Sequence, residues 1–264
     1  MFAKLKRLIE RNQLVAFFVI AFAYSWTLQI LLAYLAEPAL YIPSIYGPTL
    51  SALILCLVLG GMRRLLEFLK QSFRWKVNVI WYIVALLGIA FIFLLVRIFH
   101  GLSFPSISLD PVQLPKPAIS IIVGFLWSLR FGPLAEELGW RGFALPRLQK
   151  RMNALVSSLV LGVIWWAWHL PGLLLPELKW AVGGIPPFVF LLTILPGSVL
   201  ATWIYNNTGG SVLLTILFHG AMNYTMGLLG FNSPYFLSMT IAGLWIAAIL
   251  VTLFFGPKRL SRLE

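Results

Sequence analysis

The sequence predicts an all-α fold, a polytopic transmembrane helical bundle of about eight spans with both termini cytoplasmic. Three observations carry that expectation. Of 264 residues, 60% are hydrophobic and only 11% charged, against about 25% charged in an average soluble domain. A soluble domain of that size could not hide so much apolar surface, and a disordered chain would hold far less of it. The apolar residues fall into runs near the length of about 20 that a helix needs to cross a bilayer. The basic residues gather between alternate runs.

The runs fall at about 13–36, 44–62, 79–99, 118–138, 155–175, 187–205, 211–229 and 236–256. The first follows Lys4, Lys6, Arg7 and Arg11. Its apolar stretch exceeds the roughly 7–15 residues of a signal-peptide core and lacks a small-x-small exit, which favours an uncleaved span. The second starts beside Pro43 and Pro48, and the sixth follows Pro186-Pro187. Pro196, inside the sixth, is expected to kink it.

With the N-terminus inside, sixteen of the twenty Lys and Arg lie on the inner side, at 4–11, 63–76, 141–151 and 258–262. That is the bias of cytoplasmic loops, and it accounts for most of the +12 net charge. Nucleic-acid binding fits badly, because long apolar runs separate the bases. The 63–78 stretch, RRLLEFLKQSFRWKVN, reads as an amphipathic connector in the inner headgroup region or as a solvated basic loop. Cys56 lies in an apolar run and has no second cysteine to pair with. The sequon Asn206-Asn207-Thr208 faces the cytoplasm on this topology and carries no meaning there. No repeat is evident, and residues 1–264 read as one integral membrane domain.

Ionisable residues inside spans are costly and mark function. Glu10, Glu37, Glu67, Asp110, Glu177 and Glu264 fall in loops or termini, but Glu136 and Glu137 are adjacent near the inner end of the fourth run. In a helix Glu137 and Arg141 are i and i+4 and meet on one face, acid first. Glu136 then points about 100° away and remains for chemistry. In the competing reading both acids pair with Arg141 and Arg130 as packing. Pro133 weakens the helical ladder just before the pair, opening room for water. His219 and Asn223 share a face of the seventh run, and His169 lies in the Trp-rich fifth. His100 ends the third run within a turn of Arg97 and reads as interfacial. At 1.5 Å per residue from the inner boundary, Glu136 lies at about 15 Å, His219 at about 12 Å and His169 at about 21 Å. One glutamate, two histidines and an asparagine can therefore converge from three helices.

A glutamate in apolar surroundings can take a proton from water. One histidine can orient that water or protonate the leaving amine, while the other and the Asn223 amide stabilise an oxyanion. Alternatively, Glu136, His169 and His219 are three ligands of a catalytic Zn²⁺ with water in the fourth position. Either route hydrolyses an amide bond, and the residues alone do not separate them.

These residues resemble a known family, the type II CAAX prenyl endopeptidases and their bacterial relatives in the CAAX protease and bacteriocin-processing (CPBP, or Abi) group. Glu136-Glu137-x-x-x-Arg141 matches its first motif. His169, with an aromatic ring four residues earlier, resembles the second, and His219-x-x-x-Asn223 matches the third. The resemblance covers about 118–229, the expected catalytic core. The second motif commonly has Phe where this chain has Trp165, a ring expected to shape the cavity rather than move protons. The resemblance implies that Glu136 activates water with His169, His219 and Asn223 as partners, and that Glu137 and Arg141 support the site. Family members are described as metalloproteases using Zn²⁺ or another divalent metal, and also as metal-free glutamate enzymes. Arg130 belongs to none of the motifs.

Other protease chemistries find little support. There is no His-Glu-x-x-His pair, a single Asp, and no Gly-x-Ser-x-Gly. The leading expectation is a multi-pass cell-membrane endopeptidase whose partners are the bilayer and a membrane-associated or lipidated peptide or protein. A transporter or channel using the buried Glu/His set, and a non-proteolytic scaffold or immunity protein, are the alternatives.

Overall fold

A computed structural model describes residues 2–104, 106, 114–229 and 234–262. Asp110 and Glu264 lie outside the described residues. Among the described residues every regular element is helical.

After α1 (Phe2–Arg11), the helix α2 (Gln13–Leu35) buries Leu14, Phe17, Ala21, Ser25, Gln29 and Leu32. That spacing of three and four turns one stripe of the helix inward. Val15, Val19 and Ile30 on the same helix stay exposed, a surface suited to lipid rather than water. The short α3 (Tyr41–Ile45) meets α4 (Gly47–Ser72), and the two helical segments around this break are bent by 46°. Within α4, Gly60 and Gly61 leave helical geometry. The apolar part ends there and the basic stretch from 62 begins as its own segment, at the expected boundary. The Asn78 side chain accepts from the Ile80 N–H at the start of α5 (Val79–Ser103), supplying one of the bonds a helix start lacks.

The expected fourth span is broken. It contains α6 (Ile119–Ser128), α7 (Pro133–Glu137), a π-helical segment (Leu138–Ala144) and α8 (Leu145–Gln149). The fifth run is divided as well, into α9 (Ala154–Trp168) and α10 (Leu170–Leu174), with His169 at the joint. Pro171 has no N–H with which to continue the ladder of α9. α11 (Pro187–Asn207) remains one helical element with Pro196 inside it. The chain closes with α12 (Val212–Leu229) and α13 (Pro234–Phe255).

By length and composition, five helices, or six if the bent pair counts as one span, can cross a membrane. The runs expected at 155–175 and 211–229 supply only the shorter apolar helices Ala154–Trp168 and Val212–Leu228. The molecule is therefore a multi-pass helical membrane protein, with the two shorter helices accounting for the difference from eight. His100, expected at an interface, is instead fully buried. Its ring packs against Phe104 and Phe236 at 5.6 and 6.3 Å, because α13 lies along α5.

Among the described residues two large apolar cores form, with a small third cluster of Leu138, Val212 and Ile216. One joins α2, α4, the π segment and α9, with Phe17, Trp140, Phe143 and Trp168 at its centre. The other joins α5, α11, α12 and α13. Gly139 brings α4 and the π segment together. A Cβ there would stand 2.5 Å from the Pro48 backbone, so no larger residue fits without moving a helix.

Candidate active site

The break in the fourth span positions the acids. After α6 the chain turns through Gly132, whose φ of 111° is a conformation glycine alone adopts without strain. Pro133 then opens α7, its fixed φ suiting a first helical turn. Glu136 and Glu137 sit in the last turn of α7, both buried. The π segment that follows is widened by a hydrogen-bond step of five residues, a feature frequent at functional sites.

Glu137 is fully buried, and its Oε1 accepts from Arg141 Nη1 at 2.7 Å and from His219 Nδ1 at 2.9 Å. The expected i to i+4 pair thus forms despite the wider helix, and the same oxygen ties α7 to α12. The Arg141 guanidinium, also fully buried, lies 4.5 Å from the centre of the Trp165 ring. Glu136 turns away from this pair, and its Oε2 accepts from the Trp165 indole N–H. Trp165 therefore does more than the expected shaping of a cavity wall: it holds the carboxylate. Phe, with no donor, could not.

His169 was expected deep within a continuous span, yet it occupies the helix break after α9. Its Nδ1 lies 2.9 Å from the Trp165 carbonyl. A carbonyl only accepts, so Nδ1 carries the hydrogen and Nε2 keeps its lone pair. His219 faces the Glu137 carboxylate through Nδ1 in the same sense. Both rings are oriented from behind, a recurrent way of fixing an imidazole.

Glu136, His169, His219 and Asn223 all line one cavity of about 450 Å³. The hydrogen atom of Gly132 marks where three of them meet. A Cβ there would lie 3.2 Å from Glu136 Oε1, 3.6 Å from Asn223 Nδ2 and 4.0 Å from His219 Nε2. Phe131, Trp168, Phe190, Ile194 and Leu244 form much of the remaining wall, so a small polar cluster faces an apolar chamber. Gly132→Ala is expected to push the carboxylate out of position and strain the turn. A misplacement of about 1 Å costs about 10²-fold in rate, so the smaller shift required here is expected to lower turnover by less than that, and turnover equal to wild type would overturn this reading of Gly132.

The metal reading finds no ligand cluster. Among the described residues no group of three or more His, Cys, Asp and Glu side chains could hold a metal ion.

Reading the sequence missed two polar contributors. Gln29 of α2 lines the cavity and is only 7% exposed, with its Oε1 lacking a hydrogen-bond partner among the described residues. Tyr41 of α3 lines the same space. A signal for Gln29 existed, since it shares the buried stripe of α2 with Ser25 one turn earlier. Arg130 stands in the break before α7, its guanidinium 3.0 Å from the centre of the Trp127 ring and 4.7 Å from that of Phe131.

A helical membrane protein with a buried glutamate, two histidines and an asparagine on one cavity defines a narrow class. Residues 117–225 match the family model for the type II CAAX prenyl endopeptidases, Rce1-like. The chain is also 31% identical over 119 residues to CAAX prenyl protease 2 of Methanococcus maripaludis, a match covering 40% of this chain and 44% of that protein. Over this segment the chain is similar to the CAAX proteases. It spans less than half the length of that curated relative.

Proposed function

We propose that this protein is an intramembrane endopeptidase of the CAAX type, hydrolysing a peptide bond with water activated by Glu136. The observation that carries the reading is the convergence of Glu136, His169, His219 and Asn223 on one cavity within a helical membrane protein. The Oε1 of Glu136 takes a proton from water as that water attacks the scissile carbonyl. His169, with Nε2 unprotonated, accepts the water's other hydrogen and orients it. The Asn223 amide donates to the oxyanion that forms. His219, backed by Glu137 as the histidine of a hydrolase triad is backed by its carboxylate, receives at Nε2 the proton that Glu136 took from the water and passes it to the departing amine. Glu137 and Arg141 hold that ring in place.

The catalytic core is about residues 118–229 of a single membrane domain. The substrate is a membrane-associated peptide or protein, and the aromatic walls suit one carrying apolar or lipidated residues. The setting is the cell membrane, with both termini cytoplasmic and the cleaved end approaching from that side. Gln29 Oε1 accepts from a peptide N–H of the bound substrate. Gln29→Leu is then expected to raise KM about two- to tenfold, the worth of one such bond, with kcat nearly unchanged. An unaltered KM would remove Gln29 from this role.

The test is to reconstitute the purified chain in bilayers and incubate it with a panel of membrane-tethered peptides, products being identified by mass. Defined cleavage is the expected result, and no cleavage of any lipidated or unlipidated peptide would defeat the proposal. On this route, in which Glu136 itself is the base, a chelator is expected to leave the rate unchanged. Loss on chelation with recovery on Zn²⁺ would overturn the metal-free route.

A further inference from the structure

Away from the active site, a second cavity of about 300 Å³ opens where α1 meets α2, beside the basic segment of α4 and the end of α8. Its lining includes Arg11, Arg64, Arg147, Lys150 and Arg151, with Glu10 as the one acid. Among the described residues none of these cations forms a salt bridge. The arrangement is built. Gln13 Nε2 donates to the Glu10 carbonyl, turning Oε1 toward the arginines. That oxygen accepts from Arg147 Nε at 2.9 Å and lies 3.5 Å from Arg64 Nη2. Arg147 is further fixed by its Nη1 bond to the Phe143 carbonyl at 2.7 Å and by lying over the Phe143 ring. Two guanidinium groups are thereby held side by side on one neutral oxygen. Like charges so placed repel, and a third group of opposite sign would relieve them.

We propose that this cavity binds the phosphate headgroup of an anionic phospholipid. Guanidinium groups present paired N–H donors that match phosphate oxygens, and basic pockets between membrane helices are suited to such headgroups. The level in the bilayer favours lipid over a soluble phosphate. The apolar run of α2 starts beside Gln13, and Arg64 follows closely on the break at Gly60 and Gly61 that ends the apolar part of α4. The cavity therefore lies at the membrane–water boundary, where headgroups reside. Leu8, Val15, Met62 and Leu66 on the same segments are exposed and give acyl chains an apolar surface beside the charges. The site is independent of the peptidase reading and of its outcome.

The test uses the full chain purified in an uncharged detergent, with the thermal unfolding midpoint followed during lipid addition. Phosphatidylglycerol is expected to raise the midpoint saturably, while phosphatidylcholine of the same chains and inorganic phosphate do not. Lys150→Gln/Arg151→Gln, two exposed positions, should shift half-saturation about 30-fold higher, roughly fivefold for each base removed beside an anionic headgroup. Lys70→Gln/Lys76→Gln removes equal charge from outside the cavity and should leave half-saturation unchanged. Three results would overturn the proposal. They are equal effects of the two lipids, reproduction of the shift by inorganic phosphate alone, and equal weakening by the two double variants.

Discussion

Replacing Glu136 with Gln is expected to lower kcat by about 10²- to 10⁴-fold, the usual contribution of a positioned general base. The side chain keeps its size, and its amide oxygen can still accept from the Trp165 N–H that holds the carboxylate now. What it loses is the ability to take a proton at Oε1, the atom that faces Asn223 and His219 around Gly132. Folding should be unaffected, so the unfolding midpoint should match wild type. That combination separates chemistry from structure. If Glu136→Gln and wild type cleaved membrane-tethered peptides equally fast, Glu136 would not be the base and the proposed reaction would fail with it.

The second large effect concerns stability. Arg141→Met is expected to destabilise the protein by about 3–5 kcal/mol, because it leaves the Glu137 carboxylate buried without its cation. Both side chains are completely buried and bonded at 2.7 Å, so water cannot take the partner's place. The pair is also incompletely satisfied, with Glu137 Oε2 and Arg141 Nε and Nη2 lacking partners among the described residues. The double variant Glu137→Gln/Arg141→Met removes both charges and should recover much of the loss, as neutral replacements of buried pairs often do. Unfolding midpoints of wild type, both singles and the double close the cycle. Additive losses would mean that the two groups do not act as a pair. The double variant should still cleave slowly, because His219 Nδ1 then faces an amide in place of a carboxylate.

Much of this molecule is legible in local sequence, and the exceptions have physical causes. The runs at 13–36, 79–99, 187–205 and 236–256 match α2, α5, α11 and α13 to within a few residues, since long apolar stretches have little choice but to form helices in lipid. The fourth run lies in a candidate span, yet it and the fifth are interrupted, because hydropathy does not register backbone conformation. Gly132, with its positive φ, and Pro171, with no N–H, interrupt helices whose composition is mostly apolar. The Glu137–Arg141 pair could be read from an i to i+4 spacing. The bond from Trp165 to Glu136 could not, since 29 positions separate the two residues. Gln29, more than a hundred positions from the acids, was hidden in the same way.

The sequence by itself determined that the chain is a membrane-embedded helical protein, and it identified the few polar residues that lipid would normally exclude. Their scarcity made them conspicuous: with eight acids and three histidines in 264 residues, each could be weighed singly. Only the tertiary structure decided which nitrogen of each histidine is committed, which oxygen of Glu136 the Trp165 N–H engages, and that Gln29 lines the same cavity. It also decided that five bases from separate segments surround one cavity. Helix formation and burial depend on neighbours in the chain, which sequence displays. The orientation of a polar group depends on partners brought close by packing, and those are specified only when the helices have met.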